Sequence, residues 1–347
     1  MRSTSALVIT ESGGRPERAT IERRDPAEHD VAIRIDYSGV CHSDIHQARN
    51  EWDGDSIYPM VPGHEIVGTV TGIGSAVTRH AVGDRVGVGV YVDSCRVCDH
   101  CRRGLPQYCL AGFVPTYNGR DYEGNPTLGG YCRDIVVDEA YVLAIPAALD
   151  PAAAAPLLCA GITVYSPLKH WGAGPGVRVA VIGMGGLGHL AVKLAHALGA
   201  HVTVLSHSLA KMDDGLAFGA DEYFATGEPS TFARLERSFD LILNTVAVNL
   251  DIPAYLGLLD LDGTLVHVGI PSEPDAIKMA TLGDQRRSVA ASMIGSLDEL
   301  QEMLHLCAEK GIAAEVELIT ADEVPSAWER VVDSAVRYRF VIDALTI

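Results

Sequence analysis

The sequence predicts an α/β protein that combines an irregular β-rich domain with a doubly wound parallel sheet. Its 347 residues exceed what one small hydrophobic core usually organises, which favours two domains. Residues 1–150 contain short β-like runs separated by glycine and proline, such as DVAIRIDYSGV, EIVGTVTGIG and DRVGVGVYV. From about residue 176, apolar β-like runs alternate with helix-like stretches, which is the pattern of a parallel sheet.

The parallel sheet begins with a β-α-β unit. The run VRVAVIG is followed by glycines, by the helical stretch HLAVKLAHALGA and by the run HVTVLS, and the runs DLILNTV and TLVHVGIP extend the sheet to about residue 294. Beyond it, Ser296 and Glu299 form the capping box of a helix that ends at Gly311, and RYRFVIDAL is strand-like. This order fits a parallel sheet inserted into the β-rich domain, and it also fits three separate modules.

Composition excludes several classes of partner. Lys and Arg number 27 against 45 Asp and Glu, and the net charge of −18 would repel nucleic-acid phosphates and anionic lipid surfaces. No apolar run reaches the roughly 20 residues of a membrane helix, and the first residues do not resemble a signal peptide. We therefore expect a cytoplasmic protein without a nucleic-acid or membrane partner.

Four cysteines lie close together in the stretch DSCRVCDHCRRGLPQYC. Cys95, Cys98, Cys101 and Cys109 have the spacing C-x2-C-x2-C-x7-C. In a reducing cytosol disulfides are rare, and clustered cysteines more often bind metal. Four thiolates complete the tetrahedral shell of a closed zinc site, and the charged neighbours of these cysteines argue against a chance cluster in the core. The spacing predicts structural zinc.

A glycine-rich loop joins the first strand and helix of the parallel sheet. It contains Gly183, Gly185, Gly186, Leu187 and Gly188 in the pattern GxGGxG. Glycines in this context permit a tight turn and a close approach of the backbone to a pyrophosphate, which the N–H groups at the helix start then hold. The loop predicts dinucleotide binding.

The end of the second strand of that unit indicates which dinucleotide is bound. An NAD site usually carries Asp or Glu there for the ribose 2′-hydroxyl. This chain has Ser206, His207 and Ser208, followed by Lys211. Hydroxyl donors and an ammonium without a carboxylate describe a pocket for the 2′-phosphate of NADP(H), although an ordinary polar turn would look similar.

Two further stretches, GVCHSDIH and PGHEIVG, carry possible metal ligands. Cys41 and His64 are a thiol and an imidazole, and the carboxylates of Asp44 and Glu65 lie beside them in sequence. A single Cys or His is more often a core residue than a ligand, so these residue types alone leave both interpretations open.

Several motifs, taken in order, resemble the zinc-containing medium-chain alcohol dehydrogenase superfamily. GHEIVGTVTGIGSAVTRHAVGDRV matches its pattern G-H-E-x2-G-x5-G-x2-V followed by G-D-x-V, and GVCHSDIHQ, YPMVPGHE, AAPLLCAGITVYSPL and VRYRFVID are most similar to its cinnamyl alcohol dehydrogenase branch. The likeness covers almost the whole chain. It implies a GroES-like catalytic domain of residues 1–155 and 295–347, a Rossmann NADP-binding domain of residues 156–294, and a homodimer.

The resemblance also assigns metal ligands. Cys41, His64 and Cys159 fall at the positions of the family's catalytic zinc ligands, and Glu65 falls at the neighbouring, sometimes coordinating carboxylate. The four-cysteine loop corresponds to the family's structural zinc. Two zinc ions per chain are therefore expected, one catalytic and one structural.

The remaining site residues and the activity follow from the same resemblance. Ser43 and His46 match the family's proton-relay hydroxyl and imidazole, and Asp44 matches the carboxylate that orients the zinc-binding histidine. The implied reaction is hydride transfer between NADP(H) and primary alcohols or aldehydes, with zinc as Lewis acid and a relay from Ser43 through the ribose to His46.

The sequence also bears on the substrate and on two alternative functions. Cinnamyl alcohol dehydrogenases tend to carry aromatic side chains where this chain has Met293 and Val114 or Pro115. The expected substrates are therefore aromatic, cinnamyl-type or broad aliphatic alcohols and aldehydes. A non-catalytic zinc-ribbon or nucleotide-binding scaffold would be supported by a damaged catalytic set. A quinone reductase of the superfamily should lack both zinc sets, and this chain has both.

Overall fold

The computed structural model describes residues 1–52, 54–271 and 273–347. The chain divides into two compact units: the first contains residues 1–159 and 295–347, and the second contains residues 160–294. The second unit is therefore inserted into the sequence of the first. The change of unit falls after Cys159 rather than after residue 155, so Cys159 belongs to the first unit.

Strands and helices alternate in the second unit, whereas the first unit contains runs of consecutive strands. The strands are β1 Arg2–Val8, β2 Glu17–Arg23, β3 Asp30–Gly39, β4 Ile66–Ile73, β5 Arg85–Val88, β6 Tyr91–Asp93, β7 Val114–Pro115, β8 Asp134–Asp138, β9 Leu143–Ala144, β10 Arg178–Ile182, β11 His201–Ser206, β12 Glu222–Ala225, β13 Phe239–Asn244, β14 Leu259–His267, β15 Ser288–Ala291, β16 Val316–Ile319 and β17 Arg339–Asp343.

The α-helices are short except for one. They are α1 His42–Ala48, α2 Asp99–Arg102, α3 Pro151–Ala154, α4 Ala160–His170, α5 Gly188–Ala197, α6 Met212–Ala217, α7 Pro229–Arg234, α8 Ile252–Gly257, α9 Met279–Gly283, α10 Leu297–Lys310 and α11 Val324–Val332. Single 3₁₀ turns occur at Pro106–Tyr108, Glu139–Tyr141, Ala155–Leu158, Ala321–Glu323 and Ala344–Thr346.

The first unit is built on a seven-stranded sheet of order β16-β17-β3-β4-β5-β9, with β8 also paired to β3. β3 is its central strand. One edge of β3 pairs with β4, and the other pairs with β8 in its first half and with β17 in its second half, all antiparallel. Its apolar residues Val31–Ile33 and Ile35 are buried, as expected for a strand enclosed by neighbours on both edges.

The second unit contains a six-stranded sheet of order β12-β11-β10-β13-β14-β15, in which every neighbouring pair is parallel. The strand order reverses between β10 and β13, which makes this a doubly wound sheet with its ligand crevice at the carboxyl ends of those strands. Ala180, Ile182, Ile242 and Leu265 belong to the core cluster of this unit and are at most 3% exposed. These near-continuous apolar runs are typical of strands buried on both faces.

The elements expected after residue 294 are confirmed. Ser296 Oγ accepts a hydrogen bond from Glu299 N at 3.2 Å, and Glu299 Oε2 accepts one from Ser296 N at 3.0 Å, which completes the capping box of α10. Gly311 ends the helix with φ of 67°, the left-handed conformation that glycine adopts without cost. The strand-like RYRFVIDAL forms β17.

Within the described ranges, no single helix is both long enough and apolar enough to span a membrane. Two consecutive helical segments with a break between them, Pro151–Leu158 and Ala160–His170, reach the required length and apolar composition only when taken together.

Candidate active site

A buried group of four side chains lies at one end of the central strand of the first unit. One ligand atom from each of Cys41, His64, Glu65 and Cys159 lies within 4.8 Å of the others. Cys41 follows β3, His64 and Glu65 precede β4, and Cys159 follows the 3₁₀ turn Ala155–Leu158. The antiparallel register of β3 and β4 pairs Ser38 with Ile66, which brings the first three together.

The carboxylate of Asp44 lies next to the ring of His64. Its Oδ1 lies 3.2 Å from His64 Nδ1, and the opposite ring nitrogen, Nε2, lies 3.2 Å from Cys159 Sγ. Asp44 is fully buried, and its Oδ2 accepts hydrogen bonds from Cys41 N at 3.0 Å and from Tyr131 Oη at 3.1 Å. A carboxylate behind one nitrogen of a histidine directs the other nitrogen towards a metal.

The charges in this group depend on each other. Burial opposes protonation of His64, but the Asp44 carboxylate and the Cys41 thiolate outweigh it and raise the pKa of His64. A hydrogen bond from Cys159 lowers the pKa of Cys41. Burial raises the pKa of Glu65 to about 7, although the charge of Arg339 opposes this. A divalent cation would stabilise the deprotonated forms of both thiols.

Arg339, at the start of β17, was not expected at this site from the sequence. It is 5% exposed and forms an ion pair with Glu65 Oε1. Glu65 Oε2 is also buried and has no hydrogen-bond partner among the described residues. An arginine beginning an otherwise apolar strand was the available signal, because arginine is almost never fully buried unless it is paired. Two thiols, an imidazole and a carboxylate with one oxygen unpaired form a donor set that fits zinc.

The proposed relay residues Ser43 and His46 both lie in α1. Ser43 Oγ is 3.5 Å from Cys41 Sγ, next to the buried group. His46 Nδ1 is 2.5 Å from Glu51 Oε2, and the His46 ring stacks between those of His42 and Trp52, at centroid distances of 4.5 and 5.2 Å. The side chain of Glu51 is 43% exposed and is therefore in contact with solvent. Sequence reasoning missed Glu51, whose only signal was an acidic residue just after a helix.

The four-cysteine loop forms a second group in the first unit. The Sγ atoms of Cys95, Cys98, Cys101 and Cys109 lie within 4.8 Å of one another. Backbone N–H groups donate to several of them, including Cys98 N to Cys95 Sγ at 3.4 Å and Leu110 N to Cys98 Sγ at 3.5 Å. Hydrogen bonds from the backbone of Cys101 and Leu110 lower the pKa of Cys98 to about 6. Burial raises the pKa of Cys101 to about 11, so the thiols of this group do not share one charge preference. The geometry of the four sulfur atoms could hold structural zinc.

In the second unit, the glycine-rich loop lies between β10 and α5. Gly183 has φ of 92°, a conformation that glycine adopts readily. A Cβ on Gly188 would collide with the Gly183 carbonyl, whereas a Cβ on Gly185 would meet no atom of the described residues within 4 Å. Gly186 and Leu187 complete the turn, and Leu187 is the N-cap of α5. The close packing at Gly188 and the open space at Gly185 fit a bound pyrophosphate.

The end of β11 lies next to this loop. Ser206 is the last residue of β11, which pairs in parallel with β10, and the exposed His207 and Ser208 follow it. Lys211 Nζ donates a hydrogen bond to Met184 O in the glycine-rich loop at 3.1 Å. Of the four residues expected to recognise a 2′-phosphate, Ser206 ends the strand beside the glycine-rich loop and Lys211 contacts that loop directly.

Both units are similar to known proteins. Residues 27–147 match the family model of the alcohol dehydrogenase GroES-like domain, and residues 186–309 match that of the zinc-binding dehydrogenases. The NADP-dependent alcohol dehydrogenase C 1 of Mycolicibacterium smegmatis is 58% identical and covers 100% of this chain and 99% of its own. The aldehyde reductase YahK of Escherichia coli is 50% identical over 95% of each chain.

A solved structure is also closely similar. The cinnamyl alcohol dehydrogenase of Helicobacter pylori complexed with NADP(H) superimposes with a TM-score of 0.93 and 35% identity, covering 99% of this chain and 98% of its own. A GroES-like unit with an inserted Rossmann sheet is the architecture of one class of oxidoreductase. The chain belongs to the zinc-containing medium-chain alcohol dehydrogenase family. The predicted fold class and family are confirmed.

Proposed function

We propose that the chain is a zinc-dependent alcohol dehydrogenase and aldehyde reductase that uses NADP(H). The observation that carries the proposal is the buried group of Cys41, His64, Glu65 and Cys159, within 4.8 Å of one another and oriented by Asp44. A scaffold without turnover has no need of a buried carboxylate and imidazole held in this way. The relatives named NADP-dependent alcohol dehydrogenase and aldehyde reductase support the same reaction.

Zinc and NADP(H), when bound, would supply different parts of the chemistry. Zinc would supply a Lewis acid for the alcohol or carbonyl oxygen, and NADP(H) would carry the hydride. Cys41, Cys159 and His64 Nε2 are the proposed zinc ligands. Glu65, held by Arg339, provides the adjacent carboxylate, and Asp44 keeps His64 in the tautomer that leaves Nε2 for the metal.

The chain's own residues provide a route for the alcohol proton. Ser43 lies beside Cys41 and is the inner hydroxyl of the proposed relay. His46 Nδ1 donates a hydrogen bond to Glu51 Oε2 at 2.5 Å, which leaves Nε2 to accept a proton and form the imidazolium. Glu51 is 43% exposed, so the imidazolium is next to solvent and can release its proton there.

The relay predicts a pH-dependent defect. We expect His46→Gln to lower the rate by about 10- to 1000-fold near neutral pH, with partial recovery at higher pH, because solvent base can replace a proton acceptor. Glu51→Gln keeps the shape of the side chain and should give a smaller loss in the same direction. The pH–rate profile of both variants is the measurement, and a profile for His46→Gln that matches the unmodified enzyme would remove His46 from the relay.

The four-cysteine group is the proposed structural zinc site. We expect Cys109→Ala to lose about one zinc per chain and to lower the Tm by roughly 10 °C, because loss of a structural metal is among the largest single-residue effects on stability. Cys307→Ala is the matched control, since Cys307 is fully buried in α10 and outside both cysteine groups. Zinc analysis with thermal unfolding compares them, and full zinc content in Cys109→Ala would contradict the assignment.

The two units have separate proposed roles, the first as catalytic domain and the second as NADP-binding domain. A homodimer is also proposed, in line with the family resemblance, and sedimentation velocity would show it as twice the 37.0 kDa chain mass. We also propose a cytoplasmic location, where the thiols of the two cysteine groups would stay reduced and able to bind metal.

The proposed function is tested by NADPH consumption with benzaldehyde, cinnamaldehyde and an aliphatic aldehyde. We expect turnover of all three, since Met293 and Val114 do not supply the aromatic walls of a narrow cinnamyl site. Turnover of none, by protein that contains two zinc ions per chain, would contradict the proposal in favour of a scaffold. Turnover of quinones that survives removal of zinc would instead indicate a quinone reductase.

A further inference from the structure

Asn244 and His267 lie side by side at the carboxyl edge of the parallel sheet. They are the last residues of β13 and β14, and the parallel register places them opposite each other. Asn244 is 1% exposed. β13 is one of the two strands that border the reversal of strand order, so the pair lies beside the crevice where a doubly wound sheet holds its ligand.

The hydrogen bonds around Asn244 determine the protonation of His267. The backbone N–H of Val246 can only donate, and it donates to Asn244 Oδ1 at 3.1 Å. Asn244 Nδ2 therefore faces His267, where it lies 3.1 Å from Nδ1. An amide nitrogen can only donate, so His267 Nδ1 must accept and carries no proton in this arrangement.

Through these bonds Asn244 holds a turn against the dinucleotide loop. Val246 Cγ1 occupies the space in which a Cβ on Gly183 would lie, at 2.5 Å, and Thr245 Oγ1 donates to Ile182 O at 2.7 Å. The carbonyl of Asn244 also accepts a hydrogen bond from Gly269 N at 3.2 Å. Asn244 thus ties the turn of residues 245–246 to the ends of both strands, next to the first glycine of the loop.

We propose that Asn244 and His267 form a clamp that positions the turn of residues 245–246 for the nicotinamide half of NADP(H), and that the clamp holds only while His267 Nδ1 is unprotonated. The inference rests on the proposed function. In a doubly wound sheet the two halves of the dinucleotide lie on opposite sides of the reversal, so β11 faces the adenosine half and β13 and β14 face the nicotinamide half.

Protonation of His267 leaves the clamp without a satisfied arrangement. A proton on Nδ1 would face the Asn244 amide nitrogen, and rotation of the amide would instead turn that nitrogen towards the Val246 N–H. Either arrangement places two donors against each other at a part-buried position, which is costly. Burial lowers the pKa of His267, and Asp275, in the segment after β14, is the described charged group that opposes this. β13 and β15 place the uncharged Asn244 and Ala291 beside it.

The test compares two ligands and three proteins. Equilibrium binding of NADPH and of 2′,5′-ADP is measured from about pH 5 to pH 8 for the unmodified protein, His267→Asn and His267→Leu. The ligand 2′,5′-ADP carries the phosphate but lacks the nicotinamide half, so the ratio of the two dissociation constants cancels titration of the phosphate itself. His267→Asn retains an acceptor near the Nδ1 position that does not titrate.

We expect NADPH to weaken relative to 2′,5′-ADP by about tenfold on acidification of the unmodified protein, the effect of about one hydrogen bond. His267→Asn should show no such change with pH, and His267→Leu should bind NADPH about tenfold more weakly at every pH. A ratio independent of pH in the unmodified protein, or a pH dependence of the ratio that persists in His267→Asn, overturns the clamp alone. Binding of neither ligand overturns the clamp together with the proposed NADP(H) site.

Discussion

Cys159→Ala is expected to reduce turnover by about 10⁴-fold or more while the protein still binds NADPH. The substitution removes a sulfur donor that lies 3.2 Å from His64 Nε2, and the three remaining donors include Glu65, which is engaged by Arg339. Loss of one of three principal ligands should release the catalytic zinc. No other group in the proposed mechanism supplies a Lewis acid, which is worth several kcal/mol in the transition state.

Three measurements define this result. Zinc content should fall from two ions per chain to one, NADPH affinity should stay within about twofold, and turnover should disappear, because Cys159 lies in the first unit and the dinucleotide loop in the second. Cys132→Ala is the matched control: Cys132 is fully buried but lies outside both cysteine groups, and its variant should keep both zinc ions and its activity. A Cys159→Ala enzyme with a tenth of the original activity would show that Cys159 is not a required ligand.

Ser206→Asp is expected to reverse the preference for NADP(H) over NAD(H). Ser206 ends β11 beside the glycine-rich loop, where a carboxylate would repel a 2′-phosphate and accept a hydrogen bond from a 2′-hydroxyl. A charge-assisted contact is worth about 1.5–3 kcal/mol, so loss of one and introduction of a repulsion should weaken NADPH by about 100-fold. Steady-state kinetics with both dinucleotides measures the change as the ratio of their kcat/KM values.

Two further variants test this assignment, one at Ser206 and one at Lys211. Ser206→Asn has nearly the same shape as Ser206→Asp without its charge and should retain the NADP(H) preference. Lys211→Ala should weaken NADPH strongly and NADH slightly, because Lys211 also donates to Met184 O in the loop that both dinucleotides share. Equal kcat/KM for the two dinucleotides in the unmodified enzyme would show that the end of β11 does not discriminate between them.

The parts of this protein that sequence predicts well are those whose residues are close together in the chain. The four cysteines lie within one loop, and the GxGGxG loop lies between a strand and a helix of one β-α-β unit, so spacing and periodicity alone carry both predictions. The capping box of α10 is a similar case, because its two bonds join residues three apart. The family resemblance added the roles of Cys159, Ser43 and His46, which remain predictions.

The sheet of the first unit was needed to show that Cys41, His64, Glu65 and Cys159 lie together. Cys41 follows β3, Glu65 precedes β4 and Arg339 begins β17. These residues meet only because β3 pairs with β4 on one edge and with β17 on the other. Residue types at Cys41 and His64 left a core role open, and no spacing rule connects either residue to Cys159. Glu51 and the pair of Asn244 and His267 had no motif at all.

The sequence by itself determined the α/β class, the four-cysteine loop, the glycine-rich loop and the net charge of −18, from which we expect no nucleic-acid partner. Only the tertiary structure decided that Arg339 pairs with Glu65 and that His267 must accept a hydrogen bond from Asn244. It also placed Asp44, which the family resemblance had named, against His64. The physical reason is that local hydrogen bonds and turn geometry act over a few residues. A buried charge or polar group, by contrast, is stabilised by whichever partner the fold brings within about 3 Å, at any separation along the chain.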